Sequence, residues 1–386
     1  MDPFNSKFIL KEKRWLWIDY DKGISIMLVG YGHCLDSLTG HADLSAYPFF
    51  NYIGTFLYGF RMPLFFIISG LLVGKSLNKK GLGGYISDRT NNILFPLLVW
   101  GFIEISMQIL AASYTSFTSN TTIGPSRYLM LLLDPRQTGH FWYLNALFFI
   151  GVIYAFVKSV LKLKPVFHVL LGFIFFCISA YLHVNNINAW LLTDVLEYYF
   201  FFSLGDLISH VMLDENNIKR FSSWKSFFPL LAVFLTTQYF AAKVNQQPSN
   251  LGDDLLEHTM PFFYLFEALV GCTISVNFSF LLQKYKVFTW IRIVGYHSLF
   301  VYCMQIIVMT MARIFFMNFL HITYIPALIV LIWASGIVLP IFFYNFCLKY
   351  NLWWLYTYKK PVKQVEYLQK TKIFSFRKRV EEAPGI

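Results

Sequence analysis

Trp17-Ile18-Asp19-Tyr20-Asp21-Lys22-Gly23-Ile24-Ser25-Ile26-Met27-Leu28-Val29-Gly30-Tyr31-Gly32-His33 opens a largely apolar run that continues to Leu38. The run is long enough to cross a bilayer, because about 20 residues rising 1.5 Å each span roughly 30 Å of hydrocarbon. Yet it carries Asp19, Asp21, Lys22 and His33, ionisable groups that are costly in lipid and mark a functional site by default. Lys22 and His33 are eleven residues apart. At 3.6 residues per turn both share one helix face, about 16 Å apart along the axis. A cation at the cytoplasmic mouth and an imidazole deeper in suit a donor entering from inside and a proton transfer within. On spacing alone, a structural histidine is the competing reading. Gly23, Gly30 and Gly32 allow neighbouring helices close to this backbone.

Nine further segments, at about 49–74, 91–113, 140–161, 166–183, 190–212, 227–242, 259–282, 293–318 and 325–348, have similar apolar character. The composition agrees: of 386 residues, 56% are hydrophobic, 20% aromatic and 14% charged, with a mean hydropathy of +0.52. A soluble domain is typically about 25% charged. That excludes a soluble two-domain enzyme, along with disorder, collagen and a disulfide scaffold. Alternating ten-residue segments of the transmembrane-barrel kind are not seen. Basic residues set the orientation. With the N-terminus inside, the cytoplasmic loops hold Lys75, Lys79, Lys80 and Arg89; Lys162 and Lys164; Lys219, Arg220 and Lys225; and Lys284, Lys286 and Arg292. The outward loops hold Arg127, Arg136 and Lys243. The sequence therefore predicts an all-α polytopic membrane protein of about ten transmembrane helices with both termini cytoplasmic. A helical membrane domain would cover 1–348 and a basic cytoplasmic tail 349–386.

The formal net charge of +11 lies partly in that tail, where nine Lys and Arg face three Glu. Such a tail is expected near anionic lipid headgroups, not on nucleic acid. The five cysteines (Cys34, Cys177, Cys272, Cys303, Cys347) sit in apolar runs without a C-x-x-C pair, so neither disulfides nor a metal site is expected. Lys11-Glu12-Lys13-Arg14 precedes the first span with no A-x-A-like cleavage site, so no cleavable signal is expected. Asn120-Thr121-Thr122 matches a glycosylation sequon in an outward loop, and chance is the simpler reading. The loops are too short to hold a soluble domain, so any chemistry falls to the bundle itself.

Other spans carry ionisable residues too: Arg61, Glu104, Glu197, Asp206, Glu267 and Arg313. For Asp206 and Arg313, near span ends, interhelical pairing or snorkelling is the expected role. Span two reads Phe60-Arg61-Met62-Pro63-Leu64-Phe65-Phe66-Ile67-Ile68-Ser69-Gly70. Pro63 removes a backbone donor, so a kink is expected beside Arg61. The kink either lines a cavity or serves packing, with Ser69-Gly70 as a close helix contact.

Together these residues resemble a known family. Asp19-x-x-Lys22-Gly23-Ile24 followed by Val29-x-x-x-His33 is similar to the opening of the acyltransferase-3 family of integral membrane acyltransferases, nearest its fucose 4-O-acetylase-like branch. Lys22 stands where Arg is more usual. Met62-Pro63-Leu64-Phe65-Phe66-x-x-Ser69-Gly70 resembles the family's second signature, and Arg89 to Pro96 the segment opening its third span. His140-Phe141-Trp142-Tyr143-Leu144, Phe201-Phe202-Ser203-Leu204-Gly205 and Gly295-x-x-Ser298-x-x-x-Tyr302 resemble its later marks. Asn92 and Gln305 depart from the pattern, replacing a basic residue and a histidine.

The resemblance implies transfer of an acyl group, commonly acetyl, from cytoplasmic acyl-CoA to a hydroxyl of a carbohydrate or lipid-linked glycan presented outside. The setting it implies is a bacterial inner membrane. Acyl-CoA would be a co-substrate, with no bound cofactor and no metal. His33 is then the expected general base, with Lys22 and Arg89 neutralising CoA phosphates. Trp142 and Tyr143 would stack on a sugar ring or anchor the outer interface. Ser69 would hydrogen-bond within the cavity, while Asp19, Arg61 and Glu267 support. Asp19, Glu104, Glu197 and Glu267 are the candidates to orient His33. Direct transfer and an acyl-enzyme both stay open. A secondary transporter or flippase for a glycan or small metabolite is the competing reading, since buried charges and a proline-kinked helix serve either.

Overall fold

The computed structural model describes residues 4, 6–11, 15–114, 124–247, 254–362 and 364–365. Every regular element among them is helical. Ten long helices follow the ten apolar segments: α1 (Leu16–Leu38), α2 (Arg61–Arg89), α3 (Phe95–Tyr114), α4 (Trp142–Val160), α5 (Pro165–Val184), α6 (Leu191–Met212), α7 (Trp224–Asn245), α8 (Pro261–Tyr285), α9 (Ser298–Ile314) and α10 (Ile325–Lys349). Seven stretches of the described residues are long and apolar enough to cross a membrane, one of which, Pro48–Ala112, runs through α2 and α3. The more polar α1 and α6 are wrapped by neighbours. α1 packs against α2, α8, α9 and α10, and α6 against α2, α4 and α5. The outer surface exposes large apolar side chains such as Phe102, Phe156, Phe173, Phe240 and Phe262, which suits lipid better than water.

Two of the segments are broken. A short helix, Pro48–Phe56, precedes α2, and residues 57–60 between them leave helical geometry. Pro63 therefore occupies the first turn of α2, where its missing N–H breaks no helical hydrogen bond. The expected kink is a break on the near side of Arg61. The ninth segment likewise divides into Trp290–Tyr296 and α9 around His297, and ends in a π-helical turn at Phe315–Phe319. At its far end α2 is interrupted at Gly81 (φ 66°, ψ 179°), so Arg89 belongs to the helical rod that leads through Thr90–Leu94 into α3.

Close crossings hold the centre. A Cβ on Gly70 of α2 would stand 1.9 Å from the Phe202 carbonyl oxygen of α6, and one on Gly205 of α6 would stand 2.1 Å from the Ile67 carbonyl of α2. Backbone meets backbone from both sides, the geometry small residues give membrane helices.

Both described chain ends gather at one end of the bundle. The Trp15 indole donates to the Leu213 carbonyl at 3.4 Å and lies under Lys75. Beyond α10, the Tyr358 hydroxyl donates to the Ser87 carbonyl at 3.1 Å. This first part of the basic tail is docked: Tyr356 is buried against Trp100, Phe300 and Tyr344, and the Lys359 amide donates to Asn91. Residues 366–386, the sequon at Asn120 and residues 12–14 lie outside the described residues.

Candidate active site

At the opposite end, the breaks before α2 and α4 leave a cavity of about 140 Å³ that continues into a mouth of about 540 Å³. His33, late in α1, and His140, just before α4, line both. Their ring centroids are 5.8 Å apart, edge to face. Gly139, at φ 111°, supplies the turn that presents His140.

The two imidazoles differ in surroundings. His140 is buried, with Nε2 donating to the Tyr302 carbonyl at 3.0 Å, while the Tyr302 hydroxyl donates to the His140 carbonyl. In the neutral form of the ring, Nδ1 is then the unprotonated nitrogen. It faces Glu104 Oε1 at 3.8 Å. His33 keeps 24% of its side chain exposed, and its Nδ1 lies 3.5 Å from the exposed Asp36, one turn on.

Arg61 secures this corner. Its Nη1 donates to the Leu28 carbonyl of α1 at 2.9 Å and its Nε to the Tyr58 carbonyl at 3.2 Å, with the guanidinium 4.5 Å from the centre of the Tyr58 ring. Ser25 of α1 returns a bond to the Arg61 carbonyl at 2.7 Å. The guanidinium sits against the bare backbone of Gly32, where a Cβ would lie 2.5 Å from Nη1. Glu267 is buried behind the break, against Gly59 and Gln238.

Trp142 borders the cavity with the Arg136 guanidinium 4.5 Å from its ring centre. Burial opposes the Arg136 charge, but Asp194, then Tyr198, Asp254 and Glu257, outweigh it and hold its pKa well above the usual guanidinium value. Tyr143 does not share that surface. It is buried between Phe65, Phe66 and Tyr302, with Ser69 at its hydroxyl and the Arg89 charge nearby. An interfacial or sugar-stacking place for Tyr143 is therefore corrected: the helix that exposes Trp142 to the cavity turns the next residue into the core.

Arg89 is half-buried in the bundle, its Nε donating to the Tyr85 hydroxyl at 2.8 Å and its guanidinium 5.9 Å from the centre of the Phe202 ring. Lys22 is half-buried on α1, towards the end that holds the described chain ends. The carboxylates considered for His33 go elsewhere. Glu104 faces His140, Glu197 faces His183 at 3.5 Å, and Asp19 is buried about 21 Å along α1 from His33. Asp36 is the one near His33. In the sequence His140 and Tyr302 stand only within motifs and Arg136 only as an outward-loop charge, while nothing there marks Tyr58 or Glu257. The one signal available was ionisable residues crowding the outward ends of several segments.

A family model described as an acyltransferase domain matches residues 15–358. The chain is 29% identical over 223 residues to a nodulation protein NolL of Sinorhizobium fredii, covering 55% of each chain. It is 30% identical over 140 residues to a nodulation protein NolL of Mesorhizobium japonicum, covering 35% of this chain and 34% of the relative. The chain thus spans about half the length, or less, of the curated relatives it matches. No solved structure matches it.

Proposed function

This chain belongs to the acyltransferase-3 family, and from that premise we propose that it moves an acyl group, most simply acetyl, from acyl-CoA to a hydroxyl of a carbohydrate or lipid-linked glycan. The donor would arrive at the basic end of the bundle and the acceptor at the mouth beside His33, with the protein in a bacterial inner membrane. The observation that carries the reading is the pair of imidazoles on the floor of an open cavity in an acyltransferase bundle.

His33 takes the acceptor hydroxyl proton as the oxygen attacks the thioester carbonyl. A C–O bond forms, the C–S bond breaks, and the sulfur leaves with the proton that His33 held. His140, held by Tyr302 and facing Glu104, positions the acceptor oxygen or shares the positive charge that develops. Lys22 and Arg89 line the donor's approach, and Tyr143 and Ser69 continue polar contacts from Arg89 towards the cavity. Arg136 over Trp142 offers an aromatic face and a donor fork for a sugar. The family match supports acyl transfer over the transporter reading.

The test compares wild type with His33→Ala at matched expression, in membranes given labelled acetyl-CoA and the host's surface glycans. Label should enter glycan with wild type and fall by about 10²–10⁴ in the variant, the usual contribution of a general base. Equal incorporation by both removes His33 from the chemistry.

A further inference from the structure

We propose that His183, Glu197 and Glu257 form a binding site for a divalent transition cation beside the cavity. No metal was expected from spacing, because the three residues lie far apart in the chain. The fold brings them together from the last turn of α5, the first half of α6 and the short helix Leu255–Thr259. All three are buried, and one ligand atom from each lies within 4.8 Å of the others.

The charge balance of this corner is the first argument. Four carboxylates gather here: Asp194, Glu197, Asp254 and Glu257. Arg136 is taken up by two of them, its Nε 2.7 Å from Asp194 and its Nη1 3.9 Å from Asp254. The Tyr58 hydroxyl serves Asp254 as well, at 2.5 Å. Glu197 and Glu257 share the charge of Arg136 without an ion-pair contact to it, and the basic group that faces them within 4 Å is the His183 imidazole. Both Glu197 oxygens and Oε2 of Glu257 lack a hydrogen-bond partner among the described residues, although the residues are 2% and 5% exposed. Buried carboxylates in that position need a proton, a partner or a metal.

The donor set can close on a metal. His183 stands 3.5 Å from Glu197 through Nε2 and 3.9 Å from Glu257 through Nδ1, too long for hydrogen bonds. Since an imidazole gives one ion a single nitrogen, the ligand set is one His183 nitrogen with one oxygen from each Glu, all within 4.8 Å of one another. Donors around a tetrahedral ion with bonds of about 2.1 Å are themselves about 3.4 Å apart. To reach that spacing from within 4.8 Å, the Glu that faces the other ring nitrogen must swing towards the ligating one. His258 completes the support: its ring stacks on His183 with centroids 4.7 Å apart, and its Nδ1 donates to the His183 carbonyl at 2.9 Å. The stacked ring and the backbone bond hold the His183 side chain in place. An opening of about 380 Å³ reaches His183 from the outward surface, and Glu257 borders the catalytic cavity, so an ion has an entry path. One imidazole and two carboxylates suit zinc or manganese and leave a position for water.

The test uses the full chain purified in detergent without chelator. Its metal content is measured by mass spectrometry, and chelator-stripped protein is titrated with Zn²⁺ and with Mn²⁺ while thermal unfolding is followed. The expected result is one ion per chain and a rise in unfolding temperature on re-addition. The near-isosteric variants Glu197→Gln and Glu257→Gln should weaken binding roughly 10-fold or more, on the scale seen when metal sites are disturbed. Two results overturn the site: a wild type whose metal content and unfolding ignore both ions, or variants that bind as tightly as wild type. Gln variants more stable than a metal-indifferent wild type would assign the carboxylates a shared proton instead. None of these readouts depends on acyl transfer, so the site and the proposed activity fail independently.

Discussion

His33 and Arg61 are coupled through one turn of α1. The Arg61 guanidinium bonds the Leu28 carbonyl and the Tyr58 carbonyl at once, joining the helix that carries His33 to the break that opens the cavity. A lysine is a point donor without that fork. Arg61→Lys is therefore expected to lower stability by about 1–3 kcal/mol and to reduce kcat more than the donor KM. Thermal unfolding and steady-state kinetics of the same preparation check both. A variant with wild-type kcat would limit Arg61 to packing. At this scale the sequence was half legible. Lys22 and His33 lie on one helix, where spacing along the axis is arithmetic. The link between His140 and Glu104 joins the turn before α4 to α3, a contact that no single-chain periodicity reveals.

The helices themselves were readable because hydrocarbon demands long apolar runs, and the observed ends fall close to the expected ones except for α2, which begins at Arg61 and runs to Arg89 where 49–74 was expected. The breaks were harder to read. Leu57-Tyr58-Gly59-Phe60 keeps the apolar character of its segment, and the second break shows in the sequence only as the short polar pair His297-Ser298. Pro63 pointed to the right place, but the chain used it to start a helix. The glycines at the α2–α6 crossing make a sharper statement about this level. With carbonyl oxygens 1.9 and 2.1 Å from the missing Cβ atoms of Gly70 and Gly205, even alanine forces the helices apart. Gly70→Ala is expected to lower stability by about 1–3 kcal/mol, the range for overpacking. A lower unfolding midpoint in detergent would bear this out; an unchanged midpoint would mean the crossing is looser than described.

For the molecule as a whole, polarity is the governing feature. The described chain ends, the docked segment around Tyr356 and many Lys and Arg lie at one end, and the cavity opens at the other. Basic residues favour the cytoplasmic side. Cysteine introduced for Asp36, at the mouth, should then react with an impermeant maleimide applied from outside. Cysteine introduced for the exposed Lys79 should react only after the membrane is opened. The reverse pattern would invert the bundle and with it the side on which the acceptor is met. Four of the native cysteines are buried and Cys177 is half-buried, so background labelling is low.

The distance between cavity and chain ends bears on energetics. In the proposed reaction the acyl group moves outward along the bundle, and the hydroxyl proton it replaces returns inward on the thiol. Both travel on uncharged groups, so one turnover is an electroneutral exchange of acyl for hydrogen, driven by the thioester alone. Moving a unit charge through 100 mV is worth about 2.3 kcal/mol, and none of it enters here. Ionophores that collapse the membrane potential should leave the initial rate of transfer unchanged in sealed vesicles. A transporter coupled to an ion gradient would stall under the same treatment.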